Sequence, residues 1–206
     1  MEALTLLGTI FGLGFVSGLN LYATVLTVGL ALNLHLIRLP ESMQALDVLS
    51  HPTVLIVAGV LFAVEFVADK VPWVDSTWDG VHTLIRPVGA AVMGGYALTG
   101  ADPAVQTALA LTCGGVALTS HTTKATTRVV ANASPEPFSN SFLSIFEDVI
   151  VVVGIGVTFL LPLFMLALVA VFLILFIWMA PKMFRVLRGA MGKIRGVLRG
   201  RRGSAT

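Results

Sequence analysis

Residues 149–180 read VIVVVGIGVTFLLPLFMLALVAVFLILFIWMA, a run of 32 positions without one charged side chain. About 20 apolar residues suffice to cross the hydrocarbon core of a bilayer, so this run is too long for one ordinary span. Pro162 lies near its middle and predicts two helices joined by a tight turn, with one long helix as the alternative. The rest of the chain carries the same signal. Of 206 residues, 56% are hydrophobic and only 12% charged, with a mean hydropathy of +0.93. A soluble domain carries about 25% charged residues and needs them to cover its surface. The sequence therefore describes an integral membrane protein and excludes a soluble enzyme.

Moving outward from that run, the preceding apolar segment is Pro103 to Asn132, whose second half is polar. Before it come Ser76 to Gly100, with Arg86-Pro87 inside, and Pro52 to Asp69. The first segment, Leu4 to Ile37, exceeds one span and is interrupted by Ser17, Gly18, Asn20 and Tyr22. It reads as a long tilted helix or as a helix broken near Ser17–Asn20. The expected fold is thus an all-α membrane bundle of about six transmembrane helices, five being the alternative. Residues 1–181 form the membrane domain. The first apolar run continues beyond signal-peptide length and lacks a positive leader, so it is expected to remain as an anchor.

The tail after the last span is different. Residues 182–206 hold eight of the thirteen Lys and Arg and no acid: Lys182, Arg185, Arg188, Lys193, Arg195, Arg199, Arg201 and Arg202. Residues 1–181 then carry five bases against eleven acids, a net of −6. The basic balance belongs to the tail and does not describe a nucleic-acid-binding surface. An excess of Lys and Arg marks cytoplasmic segments, which places the C-terminus of this multi-pass protein on the cytoplasmic side. Phe184, Leu187, Met191, Ile194 and Leu198 recur at helical spacing. They suit an amphipathic helix on anionic lipids, and a disordered anchor is the alternative.

A weak internal repeat is also readable. Phe15 to Thr24 aligns with Ala117 to Thr126 at an offset of 102, both being small-polar interruptions in apolar helices. If real, it divides the domain into inverted three-helix halves, 1–100 and 101–181, an architecture used by transporters with the site where the halves meet.

Three groups of polar residues could carry chemistry. Glu65 and Asp69 are four apart, and Asp75, Asp79, His82 and Arg86 follow at spacings of four, three and four, one face of a helix. A cap at Ser76 or Thr77 would instead leave Asp75 in a loop. Such groups are costly at membrane depth and normally face partners or an aqueous path. The plainer reading puts Asp69, Lys70 and Asp75 at the headgroups with Trp73 and Trp78 as interface anchors. His121, Lys124 and Arg128 form a second, basic face, with Glu65, Asp75, Asp79, Glu147 and Asp148 available as counter-charges. Ser17, Asn20 and Tyr22, among Gly8, Gly12, Gly14 and Gly18, mark either close packing or a ligand-facing helix break.

Several other chemistries are excluded. Asp75-x3-Asp79-Gly80 begins like a CDP-alcohol phosphotransferase signature but lacks its further aspartates. Asp79 and His82, at i and i+3, could ligate a divalent ion but are only a weak metal candidate, two such residues at that spacing being common by chance, and no phosphate-loop, dinucleotide or nucleophile-elbow motif occurs. No cofactor is expected. The single cysteine, Cys113, excludes an internal disulfide and reads as a packing residue.

Ser17-Gly18-Leu19-Asn20-Leu21-Tyr22, Ala68-Asp69-Lys70-Val71-Pro72 with Asp75, Trp78-Asp79, His82-Thr83 and Arg86-Pro87, and Ser120-His121-x-x-Lys124-Ala125 together resemble a bacterial membrane family, domain of unknown function 4126. The resemblance covers roughly residues 5–175 and implies a polytopic bacterial membrane protein. It carries no activity with it. From the polar residues themselves, the expectation is a small transporter or channel for an ion or a proton-coupled, small or anionic solute. Ser17, Asn20, Tyr22, Glu65, Asp69, Asp75, Asp79, His82, Arg86, His121, Lys124 and Arg128 are its candidate pathway. Within it Asp79 or His82 would carry the coupled proton, and Lys124 and Arg128 would hold an anion. An intramembrane enzyme acting on a lipid phosphate, or a scaffold without catalysis, are the alternatives. One protomer encloses little volume, which suits a homodimer.

Overall fold

The computed structural model describes the backbone of residues 2–98, 100–132 and 137–203, and among these the side chains of all but 72, 132, 137–140, 190, 191 and 193–203. The described residues form helices and no strand. In order they are α1 (Glu2–Leu19), α2 (Leu21–Asn33), a 3-10 helix (Glu41–Ser50), α3 (Pro52–Ala68), α4 (Pro72–Tyr96), α5 (Pro103–Asn132), α6 (Pro137–Leu160) and α7 (Pro162–Gly203). Five of these helices open on a proline. Its fixed φ suits the first turn, and its missing N–H would have had no helical partner there. The prolines thus set the element boundaries.

The long first segment is broken. Asn20 adopts an extended backbone, φ −153° and ψ 105°, and its side-chain oxygen accepts from the Ala23 N–H at 2.9 Å. That cap satisfies a donor the break exposes. The aligned position in the second half, Thr122, lies inside the unbroken α5. The charge-free run divides at Leu161, with α6 ending at Leu160 and α7 starting at Pro162. α4 begins at Pro72 with Val71 as its cap, so the cap considered at Ser76 or Thr77 does not form. The Thr77 hydroxyl instead bonds the Trp73 carbonyl, one turn back within the helix. Asp75 is consequently helical and shares the face of Asp79, His82 and Arg86.

α1 is the central element. Gly14 lies against Cys113, and Gly18 against Ala117 and Ser120, so α1 and α5 run parallel in close contact. Gly12 meets Thr158 and Val16 meets Gly154, so α6 runs antiparallel to α1. Small residues let these backbones approach, as is usual where helices associate without water to drive them. Cys113 is buried in this seam, the packing role expected of it. α4 lies antiparallel to α5, with Pro87 beside Gly114 and Gly94 beside Cys113.

Three helical stretches are long and apolar enough to cross a membrane: Glu2–Leu19, Ser141–Leu160 and Pro162–Gly189. The 3-10 helix and α3, bent by 64° at their junction, make a fourth if taken together. The basic tail continues α7 as helix to Gly203. Of its apolar stripe, Phe184 is exposed and Leu187 half-buried, while the side chains of Met191, Ile194 and Leu198 lie outside the described residues.

Candidate functional site: a buried charge network at the helix break

The break at Asn20 leaves α1 with unpaired carbonyls at its C-terminal end and α2 with unpaired N–H groups at its start. The fold answers both with charges of matching sign. The Arg86 Nη1 donates to the Gly18 carbonyl at 3.3 Å, and the Lys124 ammonium donates to the Leu19 carbonyl at 3.2 Å. At the start of α2, the Asn20 side-chain nitrogen donates to Asp148 Oδ1 at 3.1 Å. Cations at a helix C-terminus and an anion near an N-terminus are the favourable arrangement for the helix dipole. The end of α3 is treated likewise, Arg128 donating to the Asp69 carbonyl at 3.1 Å.

The same three bases hold carboxylates. Arg86 Nη2 meets Glu65 Oε1 at 2.6 Å. Lys124 lies 3.3 Å from Asp69, 3.4 Å from Glu147 and 3.7 Å from Glu65. Arg128 grips Glu147 with two nitrogens, at 2.6 and 3.3 Å, and reaches Asp69 at 3.1 Å. Two acids stand further off: Asp75, 3.6 Å from Arg128, and Asp79, 3.6 Å from Arg86. All eight residues are buried. Matched one to one, Arg86 takes Glu65, Lys124 takes Asp69 and Arg128 takes Glu147, leaving a surplus of two carboxylates. In a poorly polarisable interior such a surplus is expensive unless something positive joins it.

The two histidines are not part of the positive charge. Arg86 Nη1 lies 2.8 Å from His121 Nδ1, and a guanidinium can only donate, so that nitrogen accepts. The His121 proton then sits on Nε2, facing the Asp79 carbonyl and the Thr83 hydroxyl, each at 3.1 Å. His82 Nδ1 donates to the Trp78 carbonyl at 2.8 Å, which leaves Nε2 to accept from the Tyr22 hydroxyl at 3.1 Å. Each ring is therefore satisfied in its neutral form. The basic face expected on α5 reduces to Lys124 and Arg128, with His121 an acceptor between the two helices.

Of the twelve candidate residues, eleven meet in this region. Ser17 does not: its hydroxyl donates to the Leu13 carbonyl at 2.6 Å inside α1. Asp69 and Asp75 do not lie in an exposed loop: they are 2% and 0% exposed, and α4 starts early enough to turn Asp75 inward. Trp73 is 86% exposed, and Lys70 lies in the turn over the Phe66 ring. Trp78 is half-buried and stacks on His82 at 4.7 Å between ring centroids. Glu147 and Asp148 belong to the network although the candidate set omitted them. Being the only acids in the apolar stretch of α6 was the available signal. Ser120 on α5, donating to the Phe15 carbonyl at 2.9 Å, and Thr83 on α4, beside His121 Nε2, stand in the motifs quoted above but were not among the candidates.

Among the described residues no three His, Cys, Asp or Glu side chains are grouped to hold a metal ion. His82 in particular has both ring nitrogens engaged.

The chain matches the family described as domain of unknown function (DUF4126) over residues 7–182. It belongs to this family. The DUF4126 match encloses every residue of the network, from Asn20 to Asp148, and stops where the basic tail begins. The candidate residues thus lie within the DUF4126 region, and the tail lies outside it. No curated protein and no solved structure matches the chain.

Proposed function

We propose that this protein is a small cation transporter or channel, protons included, whose translocation site is the buried network at the Asn20 break. The observation that carries this reading is the surplus of two carboxylates over three bases in a fully buried cluster. The bases have structural work already, since each ties a helix end to its neighbours. Asp79, with neither carboxyl oxygen hydrogen-bonded among the described residues, has none, and the excess of negative charge favours a positive visitor. An anionic solute or a lipid phosphate would need a free base, whereas each base here is held by two or more carboxylates.

Six spans agree with this reading. α4 and α5 have 25 and 30 residues, enough at 1.5 Å each to cross the bilayer. Their charges all turn inward, and their outer faces present Leu84, Val88, Val92, Leu111 and Leu118. With α1 and α2 as one broken span, an even count puts both termini on the cytoplasmic side of an inner membrane, the tail lying on anionic lipids.

The test is cation flux into proteoliposomes, with proton, sodium and potassium each followed by an ion-sensitive dye. The wild type should pass at least one cation faster than protein-free vesicles do, and Glu65→Gln should slow it. No flux of any cation, with no stabilisation of the purified protein by cations or small solutes, overturns the proposal. Bound ligand at a hundredfold excess over its dissociation constant adds about 2.7 kcal/mol, so a thermal screen would see it. The scaffold reading would then gain, because the bases knit helix ends whether or not anything moves.

A further inference from the structure

At the opposite end of α2 from the charge network, the way the helix stops builds a cavity. The His35 N–H donates to the Leu32 carbonyl at 3.0 Å and the Leu36 N–H to the Ala31 carbonyl at 2.8 Å, the pair of bonds that closes a helix through a left-handed residue. That residue is His35, with φ 56°, the one non-glycine of positive φ among the described residues. Glycine would sit there without strain, so the imidazole is present at a conformational cost. The chain then enters the 3-10 helix at Glu41. Its three-residue period puts Met43, Leu46 and Leu49 on a buried face and keeps Gln44 and Asp47 together on another.

Between these elements lies a cavity of about 390 Å³, lined by His35, Arg38, Gln44 and Asp47 together with Leu32 and Ile37. A volume of this size suits a small organic ligand. Among the described residues none of the four polar side chains has a hydrogen bond or an ion pair. The bases of the buried network are each held by acids, whereas Arg38 is free. A guanidinium and a carboxylate that line one cavity without meeting suit a ligand of both signs. Arg38 would take an oxyanion with its planar fork, Asp47 an ammonium, and Gln44 either end. We propose that this cavity binds a small zwitterion, an oxyanion and a primary ammonium a few atoms apart, the chemistry of a phosphoethanolamine headgroup. Leu34 and Leu36, on either side of His35, and Val48, next to Asp47, are exposed and apolar, so acyl chains have a surface to lie on beside the polar lining. The cavity lies outside the buried network, and the inference does not depend on the transport reading.

The experiment is native mass spectrometry of the full chain in detergent. The probes are phosphatidylethanolamine, phosphatidylglycerol and phosphatidylcholine with matched acyl chains, and free phosphoethanolamine. The wild type should hold the ethanolamine lipid about tenfold more tightly than the other two, the worth of one hydrogen bond to a charged group. Arg38→Gln should weaken all three lipids, and Asp47→Asn should remove the preference while leaving phosphatidylglycerol bound. Binding of free phosphoethanolamine that both variants lose would make the ligand a soluble zwitterion, with the same chemistry and the same site. The proposal is overturned if the wild type shows no preference for the ethanolamine lipid and does not bind the free headgroup, or if the preference survives both substitutions. Both side chains are exposed and unpaired, so the variants should melt with the wild type and a loss of binding can be read directly.

Discussion

Glu65 and Arg86 meet at 2.6 Å between Oε1 and Nη2, and neither side chain reaches the surface. Twenty-one residues separate them, so the pair joins the end of α3 to the middle of α4. Removing one partner of a buried pair leaves an uncompensated charge and costs about 3–5 kcal/mol. Arg86→Met should lose about that much in reversible unfolding from detergent micelles. The double variant Glu65→Gln with Arg86→Gln should recover most of it, since no lone charge remains. A double variant as unstable as Arg86→Met would show that the bonds to Gly18 and His121, and not the charge, dominate.

Asn20 performs two tasks with one amide, capping α2 through its oxygen and holding Asp148 through its nitrogen. Asn20→Ala loses the cap, about 1 kcal/mol, and leaves Asp148 without that donor. Asn20→Asp keeps the cap but sets two carboxylates face to face, so it should be the less stable of the two. Equal melting temperatures would refute the link to Asp148.

Position matters more than residue type for the glycines. Gly18 packs on the Ala117 carbonyl and the Ser120 hydroxyl, whereas Gly115 has open space where a Cβ would go. Gly18→Ala should destabilise by about 1–3 kcal/mol through overpacking. Gly115→Ala should be neutral or gain stability, Ala being the better helix former. Thermal unfolding of the two variants side by side checks the contrast.

Tyr22→Phe deletes the hydroxyl that His82 Nε2 accepts from and leaves the edge-on contact of the two rings nearly unchanged. A loss of about 1 kcal/mol is expected from the unpaired acceptor. The His82 ring should also titrate differently by nitrogen-15 NMR, because its donor is gone. An unaltered titration would mean that the hydroxyl does not engage the ring in the membrane-embedded protein.

Asp69 and Asp79 should respond very differently to the same isosteric change. Asp69 holds Lys124 and Arg128 at 3.3 and 3.1 Å, so Asp69→Asn weakens two ion pairs at once and should cost about 3 kcal/mol or more. Asp79→Asn removes a carboxylate whose ion pair with Arg86 is long, 3.6 Å, and should change stability by less than about 1 kcal/mol. Chemical unfolding curves in the same detergent give both numbers.

The membrane class and the division at Pro162 were legible because they follow from apolar length and from one residue that cannot continue a helix. So was the grouping of 79, 82 and 86 on one helix face and of 121, 124 and 128 on another, which depends only on helical spacing. What spacing cannot tell is where a helix starts. Ser76 and Thr77 are good caps by residue type, but Pro72 begins the helix a turn earlier, and that turn carries Asp75 inward. Nor does charge sign reveal that His121 accepts a hydrogen bond, since that depends on Arg86 arriving from another helix. The pairing of Asn20 with Asp148, 128 residues apart, is a property of the packed bundle alone.

The order of the charges along the chain bears on how the protein is made. Synthesis runs from the N-terminus, and each base follows an acid that it pairs with. Glu65 precedes Arg86, Asp69 precedes Lys124, and Asp69 and Asp75 precede Arg128. On the membrane reading, a cation entering with α4 or α5 therefore meets a counter-charge already in place, and α6 brings Glu147 last to complete the set. Nascent chains truncated after α5 should already be able to fold their charges away from lipid, with biogenesis proceeding helix by helix.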